Sequence, residues 1–195
     1  TTPVVSITWW TIISEWTGID EFRLYTTSGL LFPETISVTI DYAGTTTSGL
    51  DFTWVTTVDI LPGSTWTNFS ITSIDDNIAE WNEIVVTSIA FVTWSNASIN
   101  PTESFVTTLI TDDDIFYASL SISTWAMNEQ SWAIMVTLQS SGDVVSSTWV
   151  VIDLSYIGTV STWDYTWSVT TVTIPAGITG TSFNISSIDD LLVEG

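Results

Sequence analysis

The sequence predicts an all-β chain built as two tandem sandwich domains, residues 1–114 and 115–195, the second incomplete at its C-terminus. Three observations carry this prediction. Short segments of period-two apolar alternation follow one another, separated by turns rich in Gly, Pro, Ser and Thr, and no stretch shows the 3.6-residue period of a helix. β-Branched residues dominate those segments, as in I-S-V-T-I-D-Y at Ile36–Tyr42. A phrase from the middle of the chain, I-D-D-N-I-A-E-W-N-E at Ile74–Glu83, returns as I-D-D-L-L-V-E-G at Ile188–Gly195, as expected of two copies of one unit.

In chain order, V-V-S-I-T at Val4–Thr8 is the first strand, and Ile12–Glu15 continues it after a kink at Trp9-Trp10. Glu15 opens a turn. In the second strand Phe22, Leu24 and Thr26 alternate with Arg23, Tyr25 and Thr27, up to the break at Ser28-Gly29. Ile36–Tyr42 is the third, with Ile36, Val38 and Ile40 on one face. The small-residue loop Ala43–Asp51 delivers Asp51 to its far end, and Val55–Leu61 and Trp66–Ile74 follow as strands joined by a hairpin turn at Pro62-Gly63. After the acidic phrase come Ile84–Phe91 and Phe105–Thr111, and the unit closes on T-D-D-D at Thr111–Asp114. Seven short strands with turns every eight to twelve residues describe a sandwich. The expected core is Ile7, Ile36, Val38, Ile40, Val58, Ile60, Phe69, Ile71, Val86 and Val106.

The second unit begins at Ala118, where S-L-S-I-S mirrors V-S-I-T. Glu129 answers Glu15, Gly158 answers Gly44 and Asp189 answers Asp75, each 114 positions on, while Asp164 answers Asp51 at 113. I-P-A-G at Ile174–Gly177 likewise answers I-L-P-G at Ile60–Gly63. A period of this length is a whole domain, too long for a solenoid repeat. The chain stops before the second unit's counterparts of Asn82-Glu83, the last two strands and D-D-D. The expectation is a window from a longer array; the alternative is that a neighbouring subunit donates the missing strands, because losing them exposes sheet edges and core together.

Composition narrows function. Twenty-two Asp plus Glu stand against one cation, Arg23, for a formal charge of −21, so nucleic acid and anionic membrane, both polyanions, are excluded as partners. Hydrophobic residues at 45% and a mean hydropathy of +0.38 exclude disorder and make the acidity a property of a folded surface. Without Cys or His there are no disulfides, thiol nucleophiles, ordinary zinc sites or imidazole acid–base chemistry. No apolar run reaches the length of a membrane helix, so this segment is not expected to insert directly into a membrane. Sequons at Asn68, Asn96 and Asn184 suit a secreted surface that carries glycans.

Ile74–Glu83 packs Asp75, Asp76, Glu80 and Glu83 together, with Arg23 more than fifty positions away. Each close pair of carboxylates repels by on the order of 1 kcal/mol even at water-like dielectric. A bound Ca2+ removes that cost, since calcium takes about six to eight oxygens from carboxylates and carbonyls and needs neither His nor Cys. A solvated acidic loop is the plainer alternative, and the repetition of the phrase weighs against it.

With these residues in hand, both units resemble the Calx-β domain of sodium/calcium exchangers and of many large extracellular proteins. The resemblance rests on Y-x-G-T-x-x-S-x-x-D-F/Y, I-x-P/A-G before a strand, S-I-D-D-x-x-x-E and the final D-D-D, and it covers nearly the whole chain. It implies immunoglobulin-like sandwiches with a calcium cluster at one tip. Carried over, the ligands are Glu15, Asp51, Asp75, Asp76, Glu80, Glu83, Asp112, Asp113 and Asp114, with the backbone carbonyl of Ile78. In the second unit they are Glu129, Asp164, Asp189, Asp190 and Glu194. Nine carboxylates exceed the needs of one ion, and ligation by D-D-D would couple metal binding to the angle between domains. Trp81 and Trp163 depart from the pattern, standing where the family has small residues, and Trp16, Trp94, Trp125 and Trp132 also fall in turns. Stacking on sugars or neighbouring subunits is the functional reading of them and folding back on their own sandwich the structural one, and the sequence assigns no site to any Trp.

The function expected from this is a calcium-stiffened structural or adhesive repeat of a secreted cell-surface protein or extracellular filament, with neighbouring repeats or identical subunits as partners. The alternative is a regulatory Ca2+-sensor module of a membrane transporter. An enzyme is not expected: a two-carboxylate glycosidase needs its acid and its base or nucleophile to flank one bond, and these carboxylates crowd into one cluster.

Overall fold

The computed structural model describes the chain apart from residues 1–2, 10, 28, 48, 94–95, 125–132, 159–163, 167–168 and 190–195. Among the described residues all regular structure is β, in two compact units: Thr1–Asp76 with Trp81–Asp113, and Asn77–Glu80 with Asp114–Gly195.

The first unit is a sandwich of two five-stranded sheets. Its strands are β1 (Val4–Thr8), β2 (Ile12–Ser14), β3 (Ile19–Thr26), β4 (Ile36–Gly44), β5 (Phe52–Thr53), β6 (Thr57–Ile60) and β7 (Trp66–Ser73); β8 (Ile78–Ala79) belongs to the second unit, and β9 (Glu83–Val92), β10 (Ser98–Ile99) and β11 (Phe105–Thr111) complete the first. One sheet runs β10-β1-β3-β7-β5 and the other β2-β11-β9-β4-β6. The kink at Trp9 sends the first strand from one sheet into the other: β1 pairs antiparallel with β3, while β2 lies parallel to β11. Between the sheets the side chains alternate as a half-buried strand requires, and Phe22, Leu24, Phe32, Ile36, Val38, Phe52, Ile60, Ile71 and Val85 have at most 2% of their surface exposed.

Of the expected core, Ile7, Ile36, Val38, Ile40, Val58, Ile60 and Ile71 are buried, and Phe69 and Val106 pack against them half-buried. Val86 is the exception: Val85, Thr87 and Ile89 point inward and Val86 lies on the other face of β9. The run Ile84-Val85-Val86 is apolar throughout, so it carries no alternation to set the facing. A second correction concerns Pro62-Gly63. β6 pairs with β4 and β7 pairs with β3, so the turn crosses from sheet to sheet and does not close a hairpin. Ten strand segments among the described residues, two of them of only two residues, replace the seven expected for the first unit.

The second unit carries β12 (Ala118–Ile122), β13 (Ile134–Ser140), β14 (Val145–Ser146), β15 (Val150–Asp153), β16 (Thr171–Ile174) and β17 (Gly180–Ile185). They form a three-stranded sheet β12-β13-β17, a β15-β16 pair and a short parallel pair of β14 with β8. Leu138, Val172 and Ile174 make its core, with Ile152, Leu154 and Phe183 packed against them.

Hydrogen bonds show the repeat directly. Tyr42 Oη donates to the Val55 carbonyl (2.9 Å), and Tyr156 Oη to that of Val169 (2.7 Å). Gly63 N–H donates to the Phe32 carbonyl and Gly177 N–H to that of Ser146, each at 2.9 Å. The two glycines have φ values of 75° and 72°, a left-handed turn that glycine takes without strain.

Candidate metal centre

The residues of the Y-x-G-T-x-x-S-x-x-D motif build the framework on which the acidic groups sit. Tyr42 anchors the end of β4 through its bond to Val55, and burial pushes its phenol up to about 12. In the second unit Tyr156 is also raised, by burial first and then by Tyr165, whose ring centroid is 6.3 Å away. Gly44 has φ 132°, and a Cβ there would collide with the Ile84 carbonyl oxygen, so only glycine lets β4 approach the start of β9 this closely. Thr45 then clamps Ile84 from both sides: its N–H donates to the Ile84 carbonyl (2.9 Å) and its Oγ1 accepts from the Ile84 N–H (2.8 Å). Ile84 follows Glu83, so this clamp fixes the carboxylate at the head of β9.

Asp51 is set by its own loop. Its side chain accepts from the Thr47 N–H and its carbonyl accepts from the Ile74 N–H at 2.9 Å, which holds it beside the residue preceding Asp75. The second unit repeats this bond, with the Asp164 carbonyl accepting from the Ile188 N–H at 2.8 Å. Glu15, 8% exposed, donates its N–H to the Thr111 carbonyl (3.0 Å), next to Asp112. Ser73 ties the Glu15 turn to the end of β7: its Oγ accepts from the Gly18 N–H (2.9 Å) and donates to the Ser14 carbonyl (2.9 Å). Ladder register brings the same ends together, with Ser14 opposite Thr111 and Glu83 opposite Ile110.

Among the described residues, Asp51, Glu80 and Glu83 offer one carboxylate oxygen each within 4.8 Å of one another, and all three are half-buried. The other expected ligands lie outside this group. Asp75 and Asp113 are exposed; Asp76, Asp112 and Asp114 are half-buried. Ile78 sits in β8, paired with Val145. In the second unit Asp164 is half-buried and Asp189 exposed, while Glu129, Asp190 and Glu194 lie outside the described residues. Thr47, which orients Asp51, was not singled out from sequence, because it acts through its backbone N–H and the side chain at that position carries no signal of the contact.

Three hard oxygen donors from partly screened carboxylates, without nitrogen or sulfur, suit a calcium-type ion, and their closeness leaves strong mutual repulsion for a cation to relieve. Trp16 and Trp81 are exposed, Trp81 at 82%, so neither folds back on its sandwich; Trp94, Trp125, Trp132 and Trp163 lie outside the described residues. No helix among the described residues is long and apolar enough to cross a membrane.

Neither a protein-family model nor a curated protein matches the chain. Solved structures do. The apo form of the Calx CBD1 domain aligns over 58% of this chain and 100% of its own, with 21% identity and a TM-score of 0.50. CBD12 from CALX1.2 aligns over 94% of this chain and 74% of its own, at 15% identity and a TM-score of 0.49. The calcium binding domain CBD12 of CALX1.1 aligns over 93% and 74%, at 15% identity and 0.46. The likeness to CBD1 is one of fold: the chain has a Calx-β-like sandwich.

Proposed function

We propose that this chain is a non-catalytic, Ca2+-binding β-sandwich repeat. The observation that carries the reading is the convergence of Asp51, Glu80 and Glu83. It is supported by the acidic phrase, by its recurrence 114 positions on, and by the framework of Tyr42, Gly44 and Thr45 that holds the loops in place. The ion would supply the positive charge that these side chains lack, and the carboxylates would supply its oxygen ligands.

The finer reading is a structural or adhesive segment of a secreted cell-surface protein or extracellular filament, in which D-D-D at Asp112–Asp114 adds ligands and stiffens the junction between repeats. Its support is the Ser/Thr-rich composition, the sequons and the single cation. A regulatory sensor module of a membrane transporter is the second reading, supported by the motif resemblance to sodium/calcium exchangers. Affinity separates the two, because extracellular calcium modules bind at roughly 10−4–10−3 M and sensors at roughly 10−7–10−5 M. Titration calorimetry of the chain with Ca2+, beside Asp51→Asn and Glu83→Gln, tests both. The expected result is binding that either substitution weakens by about tenfold or more. No heat and no shift in melting temperature at millimolar Ca2+ would sink the calcium reading.

A further inference from the structure

On the outer face of β3 and β7, Trp9, Glu21, Phe22, Arg23 and Asn68 line a cavity of about 110 Å3 that shares no residue with the carboxylate cluster. It holds the only cationic side chain of the protein. Arg23 lies opposite Asn68 in the ladder, donates from Nε to Asn68 Oδ1 (3.4 Å), and stacks its guanidinium 4.7 Å from the centroid of Trp66. Stacking fixes the guanidinium plane, so its remaining N–H donors are held ready without further loss of freedom. Trp66 is thereby covered on one face, and Trp9, 54% exposed, is the open aromatic wall.

Trp9 has a φ of 121°, a conformation that L-residues rarely adopt and one of only two such non-glycine positions among the described residues. Glycine would hold that backbone without strain. A bulky aromatic kept there against its own backbone preference points to a role for its ring at a ligand surface.

We propose that this cavity binds the terminal ring of a neutral saccharide, with Trp9 as the stacking wall and Glu21, Arg23 and Asn68 as the polar anchors. The chemistry selects the ligand class. A sugar ring has an apolar C–H face for the indole and neighbouring hydroxyls that both donate and accept. Glu21 accepts, Arg23 donates and the Asn68 amide does both. An anionic ligand meets Glu21 inside the cavity and a chain of charge −21 around it, while a cationic one meets Arg23. Size sets the limit: about 110 Å3 is well below the ~300–1,000 Å3 of pockets for drug-sized ligands, so the cavity encloses no more than part of one terminal ring and leaves the rest of a glycan in solvent. This inference is independent of calcium binding.

The test uses the 195-residue chain made without N-glycosylation, because a glycan on Asn68 would fill the cavity. Saturation-transfer NMR and calorimetry are run with methyl glycosides of glucose, galactose, mannose and N-acetylglucosamine, beside sialic acid and glucosamine, with and without chelator. A neutral glycoside is expected to bind with Kd on the order of 1 mM, unchanged by chelator. Trp9→Gly should weaken it by about tenfold or more while the melting temperature holds or rises, because glycine relieves the strain. Glu21→Gln, an exposed substitution on the same face, should weaken binding to a similar degree, and Trp81→Ala should not. Binding of only the charged sugars, no binding at tens of millimolar, or full binding by Trp9→Gly and Glu21→Gln would each overturn the proposal.

Discussion

Thr108 Oγ1 donates a hydrogen bond to Asp20 Oδ2 inside the first sandwich, where neither residue has any exposed surface. The contact joins the two sheets, because Asp20 lies on β3 and Thr108 on β11. Asp20 Oδ1 is also buried and has no hydrogen-bond partner. Thr108→Val leaves the carboxylate without its donor and should cost roughly 2–3 kcal/mol in urea unfolding. The double variant Asp20→Val with Thr108→Val should cost less than the two single changes added together, because no buried polar group is then stranded. Simple additivity in that cycle would show that the pair is not coupled.

Gly44 and Gly63 both have positive φ but differ in surroundings. Gly63→Ala meets no atom within 4 Å and should lose only about 1–2 kcal/mol for the left-handed backbone. Gly44→Ala adds a collision with the Ile84 carbonyl to a positive-φ backbone farther from the left-handed region and should lose distinctly more, at least ~3 kcal/mol. Because Ile84 follows Glu83, Gly44→Ala should also weaken Ca2+ binding while Gly63→Ala leaves it alone. Equal losses for the two would contradict the close approach of β4 to β9.

Tyr42 gives the fold an alkaline signature. Its phenol holds its proton to about 12 in the folded state, against an ordinary value of 10.0, chiefly through burial. Below pH 10 both states are protonated and this group leaves stability unchanged; between pH 10 and 12 the unfolded chain releases the proton first, so stability falls. Tyr42→Phe should flatten that fall when unfolding is followed from pH 9 to 12. An unchanged slope would show that Tyr42 does not carry it.

Removing calcium should act on the junction as well as on the fold. With chelator the carboxylates repel one another and the D-D-D segment regains backbone freedom, worth roughly 1–2 kcal/mol per residue released. Solution scattering is expected to show a wider spread of inter-unit angles and calorimetry a lower melting temperature, and Asp113→Asn with Asp114→Asn should reproduce the angular effect with calcium present. The same spread with and without calcium would remove the stiffening role and leave binding alone.

Much of this was legible in the sequence, and the exceptions have physical causes. β4 starts where expected at Ile36, because Ile36, Val38 and Ile40 alternate with polar residues, and β11 at Phe105–Thr111 matches its expected bounds because a β-branched run ends there at the acidic D-D-D. The two-residue strands β5, β8 and β10 are too short to show any period, and Val86 faced the wrong way because its neighbours are equally apolar. The turn at Pro62-Gly63 was recognisable as a turn, yet its local geometry is the same whether the next strand pairs back or crosses to the other sheet. At the acidic end, composition marked nine carboxylates of the first unit, but loop paths decide which of them converge. Only Asp51, Glu80 and Glu83 do so within 4.8 Å among the described residues.

The split first strand has a consequence for how the domain is made. Thr111 Oγ1 donates to the Ile13 carbonyl across 98 positions, and Asn100 Nδ2 donates to Ser6 Oγ across 94. During synthesis at about 5–20 residues per second, the N-terminal strand therefore waits roughly 5–20 s for these last partners to appear. Until then β2 lacks β11 and the side of β1 that takes β10 stays open, exposing an apolar edge to other nascent chains. Closing so long a loop late makes refolding slow for the domain's size, in the millisecond-to-second range of proteins dominated by non-local pairing.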